Sequence, residues 1–397
     1  VRDVLEPMLD WWRAGRTVGV GTVVATFRSA PRPAGATMVV GPNEAVLGSV
    51  SGGCVEGAVF ELATEAIESG RGTLQRYGIS DDDAFAVGLT CGGILDVWVE
   101  PVSQSTFPEF AEVADLVARD RSVAIATVIR HVDAEMIGRR IIVRVSEATG
   151  EYEGQGSLGA PGLDRAIVRA AESMLGSGTS AVVTTGVEGR PGDEVDVFVH
   201  ALASRPRMIV VGAIDFAAAM SRIGHLLGYD VTVVDARPVF ATAERFPAAD
   251  AVVVDWPHRY LQAEHDAGRL DDRTAIVVLT HDPKFDVPAL EIALRLPEVG
   301  YVGAMGSRRT HEDRTARLLE AGLVSEELAR LASPIGLDLG ARTPDETAVS
   351  IAAEIIARRH GGTGAPLSRG GGPIHRGGDL LEAGTWVSDE CKIQKLT

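Results

Sequence analysis

Cysteine is scarce in this chain, with only Cys54, Cys91 and Cys391 among 397 residues. So few thiols in so long a chain exclude a disulfide framework and fit a reducing compartment, so the expected location is the cytoplasm. Lysine is almost absent, Lys284 being the only one before residue 361. Positive charge as a whole is short: Lys plus Arg number 38 against 55 for Asp plus Glu, a net charge of −17. An acidic chain without a basic stripe is a poor partner for nucleic acid or for an anionic membrane surface. No apolar run approaches the ~18 residues of a transmembrane helix. The first residues, with Asp3, Glu6 and Asp10, lack the basic-then-apolar order of a secretory signal. The nine histidines show no ligand spacing such as H-E-x-x-H, and the three cysteines are scattered, so neither a structural zinc nor an iron–sulfur cluster is expected. No serine elbow, P-loop or paired-carboxylate pattern occurs, which leaves ordinary hydrolases and kinases without support.

What is present is a globular composition, 45% hydrophobic and 23% charged, with 45 glycines, about 11% against a usual ~7%. At ~150 residues per domain the length predicts two or three domains. Residues 1–203 hold 16 basic and 28 acidic side chains, residues 204–360 hold 18 and 23, and residues 361–397 hold four of each. Ser204-Arg205-Pro206 reads as a boundary, and Gly361–Gly378, with its Gly-Gly pairs and Pro366, reads as a linker or a surface-hugging tail. The expected division is therefore 1–203, 204–360 and a tail 361–397.

Residues 204–360 alternate short β-branched runs with helical stretches. Strands are predicted at Met208–Val211, Val231–Val234, Ala251–Val254, Ala275–Leu279 and Val299–Val302. Phe216, Met220, Ile223 and Leu227 share one helical face, and further helices are predicted around Ala289–Leu296, His311–Ala321 and Pro344–Arg359. That alternation predicts an α/β fold, a doubly wound Rossmann-like parallel sheet, with residues 1–203 as a separate N-terminal α/β domain. Such a sheet binds ligands at the carboxyl ends of its strands. In the first turn only Gly212 of a dinucleotide fingerprint is present; Ile214 adds bulk and Asp215 negative charge where a pyrophosphate would lie. Asp235, 23 residues after Gly212, stands where a ribose acceptor would. NAD(P) is thus expected to bind weakly or not at all. Gly306-Ser307-Arg308-Arg309, opening a helix, reads either as an anion site or as an N-cap with solvated arginines. His281, in the loop Thr280-His281-Asp282, is a candidate base or hydrogen-bond donor.

In the first half, the run Val18–Phe27 leads into a stiff turn, Arg28-Ser29-Ala30-Pro31-Arg32-Pro33-Ala34-Gly35, whose prolines present Arg32 outward. Leu47–Gly57 reads L-G-S-V-S-G-G-C-V-E-G, and Val55, Val59, Leu62, Ala66 and Ile67 then follow helical spacing. Cys54 thus falls at a helix N-terminus behind Gly52 and Gly53, where the helix dipole favours a thiolate. Cys91, before Gly92 and Gly93, is nearly its mirror image, downstream of Asp81-Asp82-Asp83 and ahead of a strand from Ile94 to Val99. A free cysteine is often only a small hydrophobe, but glycine-flanked loops at element ends carry function more often than packing. Cys54 and Cys91 are therefore candidate functional thiols, whereas Cys391 is not.

These motifs resemble the XdhC/CoxI family. The resemblance is carried by Ser29–Gly35, Gly48–Gly57 and Cys91-Gly92-Gly93 in the first half. In the second it is carried by Thr280-His281-Asp282, Gly306-Ser307-Arg308, Pro334–Gly340 and Thr343-Pro344-Asp345-Glu346. It covers roughly residues 10–360, and the chain departs from the family at Ile214-Asp215, where Gly-His is common. The resemblance implies a non-catalytic accessory factor of molybdenum hydroxylases such as xanthine dehydrogenase. Such a factor binds the molybdenum cofactor (molybdopterin), supports its sulfuration with a cysteine desulfurase and delivers it to the apoenzyme. On that reading Cys54 and Cys91 lie near the molybdenum, while Arg32 or the Gly306–Arg309 turn holds the molybdopterin phosphate, and a homodimer is expected. The competing expectation is an NAD(P)-binding oxidoreductase or redox subunit. Residues 100–203 carry no usable motif.

Overall fold

The computed structural model describes residues 2–27, 32–78 and 93–371. Of the segments singled out above, Arg28–Pro31, Asp81–Asp83, Cys91, Gly92 and everything beyond Gly371, Cys391 included, lie outside the described residues. The chain divides into two compact units, one running to Ser204 and one spanning Arg205–Gly371.

The first unit begins with helix α1 (Arg2–Arg13) and strands β1 (Val18–Phe27), β2 (Thr37–Val40) and β3 (Val46–Gly48). Helix α2 (Glu56–Ser69) and strands β4 (Thr73–Tyr77) and β5 (Ile94–Val102) complete an antiparallel sheet in the order β3-β2-β1-β5-β4. After α3 (Phe110–Ala118), strands β6 (Val123–Arg130), β7 (Arg140–Val145) and β8 (Tyr152–Gly156) are followed by α4 (Pro161–Ser177), β9 (Ala181–Thr185) and β10 (Val195–Leu202). They form a second antiparallel sheet, β8-β7-β6-β10-β9. The expected domain of strands and helices is here two antiparallel sheets: among the described residues its ten strands pair only antiparallel. Alternation along β1 explains the layering. Val18, Val20 and Val24 face the second sheet, where Val24 and Trp98 meet Ile129 and Phe198. Val23 faces α2, whose Val59, Ala63 and Ala66 cover the other side. Helix α4 covers the outer face of the second sheet through Leu163, Ile167, Ala171 and Leu175. The motif-poor stretch 100–203 is thus mostly this second sheet and its helix.

The second unit is a six-stranded, all-parallel sheet. Its elements are β11 (Arg207–Val211), α5 (Asp215–Leu226), β12 (Asp230–Asp235), β13 (Ala251–Val254), α6 (Pro257–Asp266) and β14 (Ala275–Val278). Then follow α7 (Pro283–Arg295), β15 (Tyr301–Ala304), α8 (Arg308–Glu320), α9 (Ser325–Leu328), β16 (Leu331–Ala332) and α10 (Pro344–His360). The strand order β13-β12-β11-β14-β15-β16 reverses between β11 and β14, the arrangement of a Rossmann fold. One face packs on α5 and α10 through Met220, Ile351 and Ile355, the other on α6, α7 and α8 through Leu261, Leu290, Leu294 and Leu318. Sequence and structure differ at α6, which the apolar pattern does not predict; it is mostly polar and buries Leu261 as its large apolar anchor. Helix α10 is fixed at both ends, by the Thr343–Glu346 capping box and by Gly361 at φ 65°. Residues 361–371 are exposed, with one short turn at Leu367–Arg369. Among the described residues no helix is long and apolar enough to cross a membrane.

Candidate functional site

One end of the first sheet gathers the motifs of the N-terminal half. The register pairs Phe27 with Ile94, Thr22 with Thr37, Met38 with Gly48 and Tyr77 with Leu95. The end of β1, the start of β2, the ends of β3 and β4 and the start of β5 therefore all lie on one side. Three segments leave from it: the loop holding Arg32, the loop Ser49–Val55 holding Cys54, and Gly93, two residues after Cys91. A Cβ on Gly78, at φ 94°, would fall 2.2 Å from the Gly93 carbonyl oxygen, so the backbones flanking residues 79–92 touch.

Cys54 is half-buried against the apolar cluster under α2, which also contains Ala36 and Ala58. Helix α2 starts two residues later, with Val55 as its N-cap. Gly52 (φ 80°) and Gly53 (φ 119°) take left-handed conformations that a side chain would strain, and among the described residues nothing stands within 4 Å of a Cβ at either. The amide donors that a helix start offers to a thiol are directed elsewhere. The Glu56 carboxylate accepts from the N–H groups of Ser51 (2.9 Å), Gly52 (2.9 Å), Gly53 (2.8 Å) and Val55 (3.2 Å). It also accepts from the hydroxyls of Ser49 (2.7 Å) and Ser51 (2.5 Å). Ser51 Oγ in turn accepts from the Cys54 and Val55 N–H groups, at 2.9 and 3.0 Å. Burial alone would push the Glu56 carboxyl up, but the Ser51 and Ser49 hydroxyls and the loop amides outweigh it and hold the group at about 2. Sequence reasoning missed Glu56 and both serines. The available signal was a glutamate in the first helical turn behind a serine- and glycine-rich loop, the composition of a self-capped helix start.

Arg32 is exposed, as are Gly52 and Gly53. Gly212, Asp235, His281, Gly306, Ser307 and Arg308 all fall at the carboxyl edge of the parallel sheet, but their side chains do different things. A crevice too narrow to hold a water molecule, at the strand-order reversal, is lined by Val211, Gly212, Asp235, Ala236, Pro257, Thr280 and Phe285. The first turn offers it little: the N–H groups of Gly212, Ala213 and Ile214 go to Val234 O, the Asp235 carboxylate and Gly212 O. Asp235 is buried, and its two oxygens also take the backbone and guanidinium N–H groups of Arg237 at 2.8–2.9 Å. Burial raises this carboxyl, while Arg237 and the Ala213 amide bring it below the usual carboxylate range. Arg237, which sequence reading also missed, lies over the Phe240 ring at 4.7 Å, so the Asp235 carboxylate is already paired with a guanidinium. His281 is exposed in the loop after β14. Ser307 is the N-cap of α8, accepting from the Thr310 N–H at 3.1 Å, and Arg308 and Arg309 are exposed. The cation that holds this turn is buried Arg314, paired with Asp286 at 3.0 Å and donating to Met305 O at 2.8 Å. Among the described residues no group of three or more His, Cys, Asp and Glu is arranged to hold a metal.

The chain is similar to proteins of known families along most of its length. Residues 208–355 match the model of the XdhC Rossmann domain, and residues 11–78 match that of the XdhC and CoxI family. It is 26% identical to a Bacillus subtilis protein described as a probable xanthine dehydrogenase subunit, over 86% of this chain and 92% of that protein. It is 25% identical to a molybdenum cofactor insertion chaperone, PaoD, of Escherichia coli, over 90% of this chain and 88% of that one. A crystal structure described as a xanthine dehydrogenase of Bacillus halodurans superimposes with a TM-score of 0.65 at 23% identity, covering 90% of this chain and 95% of that one, and so shares its fold. The two matched models together span more than half of the chain, and each falls within one of its two units, so the protein belongs to the XdhC and CoxI family.

Proposed function

We propose that this protein is a maturation factor that carries the molybdenum cofactor, supports its sulfuration and hands it to a molybdenum hydroxylase of the xanthine dehydrogenase type. The observation that carries the reading is the shared end of the first sheet, where Cys54 sits half-buried beside two open glycines and where the Arg32 loop and Gly93 also leave the sheet. A dithiolene-bound molybdenum centre is a soft, bulky group, and a thiol at a glycine rim suits it in ligand type and in room. Likeness to a relative described as a molybdenum cofactor insertion chaperone, over 90% of the chain, supports the same reading. In it Cys54 and Cys91 face the metal end of the cargo, and Arg32 holds its phosphate. A cysteine desulfurase is the source of the sulfur, and the apo-hydroxylase is the recipient.

The oxidoreductase alternative has weaker support, because the first-turn amides and Asp235 already have partners within the fold. The test is to measure molybdopterin co-purifying with the protein and its transfer to an apo-hydroxylase. Cys54→Ala lowers retention or sulfur loading while leaving the thermal transition in place. Cys54→Ser is nearly as harmful, since it keeps the volume and loses the soft ligand. If Cys54→Ala and Cys91→Ala both load and deliver cofactor as the parent does, the reading is wrong.

A further inference from the structure

We infer that Glu56 is the positioning residue of the Cys54 loop: its carboxylate is an internal anion around which the loop Ser49–Val55 is folded, and the place of Cys54 depends on its charge. This rests on the reading of Cys54 as a functional thiol. Six donors converge on one side chain: four amides, at Ser51, Gly52, Gly53 and Val55, and two hydroxyls, at Ser49 and Ser51. Hydrogen bonds to an ionised acceptor are roughly twice as strong as neutral ones. The serine hydroxyls that share these amides, Ser49 Oγ and Ser51 Oγ, are neutral, so the charge in the loop comes from Glu56. Val50 and Val55 anchor the two ends of the loop in the apolar cluster under α2. Between them Gly52 and Gly53 adopt left-handed conformations, and among the described residues nothing packs where a Cβ would stand, so the hydrogen bonds to Glu56 hold this middle stretch. The carboxylate reaches the thiol through Ser51, which donates to Glu56 and accepts from the Cys54 N–H. A glutamine in its place keeps the shape but turns an NH₂ toward N–H groups, and an alanine leaves the donors facing an empty space.

The experiment follows Cys54 alone, by peptide mass after timed exposure of the whole protein to iodoacetamide. The parent holds Cys54 half-buried and labels slowly. Glu56→Ala, by releasing the loop, labels Cys54 about tenfold faster, the order expected for loss of charge-assisted hydrogen bonds, and it retains less molybdopterin. Excess sodium formate, a carboxylate small enough to refill the space, returns the labelling rate toward that of the parent, while formamide and sodium chloride at equal concentration do not. Labelling of Glu56→Ala at the parental rate would overturn the inference, as would an equal effect of formate and formamide. If Glu56→Ala does not melt cooperatively, Glu56→Gln is read in the same way and labels faster than the parent. No cofactor is needed for this measurement. Retention of cofactor by Cys54→Ala tests the functional reading separately, so either can fail without the other.

Discussion

At the scale of single residues, two side chains make opposite use of burial. His200, on β10, is buried beside Gly35 of the Arg32 loop and Ser180, with its ring 5.6 Å from that of Phe198. Burial disfavours its charged form and pushes the imidazole down to about 4. The folded state keeps it neutral where the unfolded chain, with an ordinary value near 6.5, takes up a proton. Its contribution to stability is therefore complete above about pH 6.5 and is lost as the pH falls through the folded value near 4. Denaturant unfolding at pH 7 and pH 4.5 should show the parent losing on the order of 2 kcal/mol more than a His200→Gln variant, whose side chain does not titrate. Asp235 is buried as well, but it stays charged because Arg237 and the Ala213 amide meet it on both oxygens. That closed pair and the internally satisfied first-turn amides give the expectation for nucleotide. Calorimetric titration with NAD⁺ or NADP⁺ should yield no dissociation constant in the low-micromolar range, because each ~1.4 kcal/mol of missing contact is tenfold in affinity.

At the scale of elements, β1 and α2 are matched by two glycines. A Cβ on Gly19 would stand 2.5 Å from the Ala63 carbonyl oxygen, and one on Gly21 would stand 2.6 Å from Val59 Cγ1. Both point to the face that α2 covers, and their lack of side chain lets the helix lie directly on the strand. Gly19→Ala must push backbone aside and should cost about 1–3 kcal/mol, read as a lower denaturant midpoint. It should also speed labelling of Cys54, since the loop hangs from the displaced helix. The sequence marked β1, α2 and five of the six strands of the parallel sheet within a few residues, because β-branched runs and 3.6-residue periodicity are local signals, while β16, only Leu331–Ala332, is too short to leave one. It did not reveal that β1 pairs with β5, nor that residues 100–203 hold a second antiparallel sheet, because pairing partners are set by contacts far along the chain. The Cys54 loop was legible as a place, from Gly52, Gly53 and the helix that follows. Its charge was not, because Glu56 belongs to α2 by periodicity and to the loop only by where its side chain folds back.

At the scale of the whole molecule, each unit has its own core. The parallel sheet packs two separate apolar clusters, one on each face, drawn entirely from residues 208–355. A fragment spanning 205–371 should therefore fold alone, with a single cooperative thermal transition and near-UV ellipticity from its buried tyrosines; a fragment lacking both would contradict the independence of this core. The first unit closes less locally. Its middle strand, β1, is made early but needs β5 along one side, from Phe27 against Ile94 to Val18 against Val102, and among the described residues β4 pairs with β5 alone. On the ribosome, then, the Cys54 loop and its helix are complete well before the sheet beneath them can close. At ~5–20 residues per second the interval amounts to a few seconds, during which β1 presents an open edge to whatever is nearby. The sheet closes when the strand following Gly93 docks, with its first residue, Ile94, reaching Phe27 at the thiol end before Val102 is made to meet Val18.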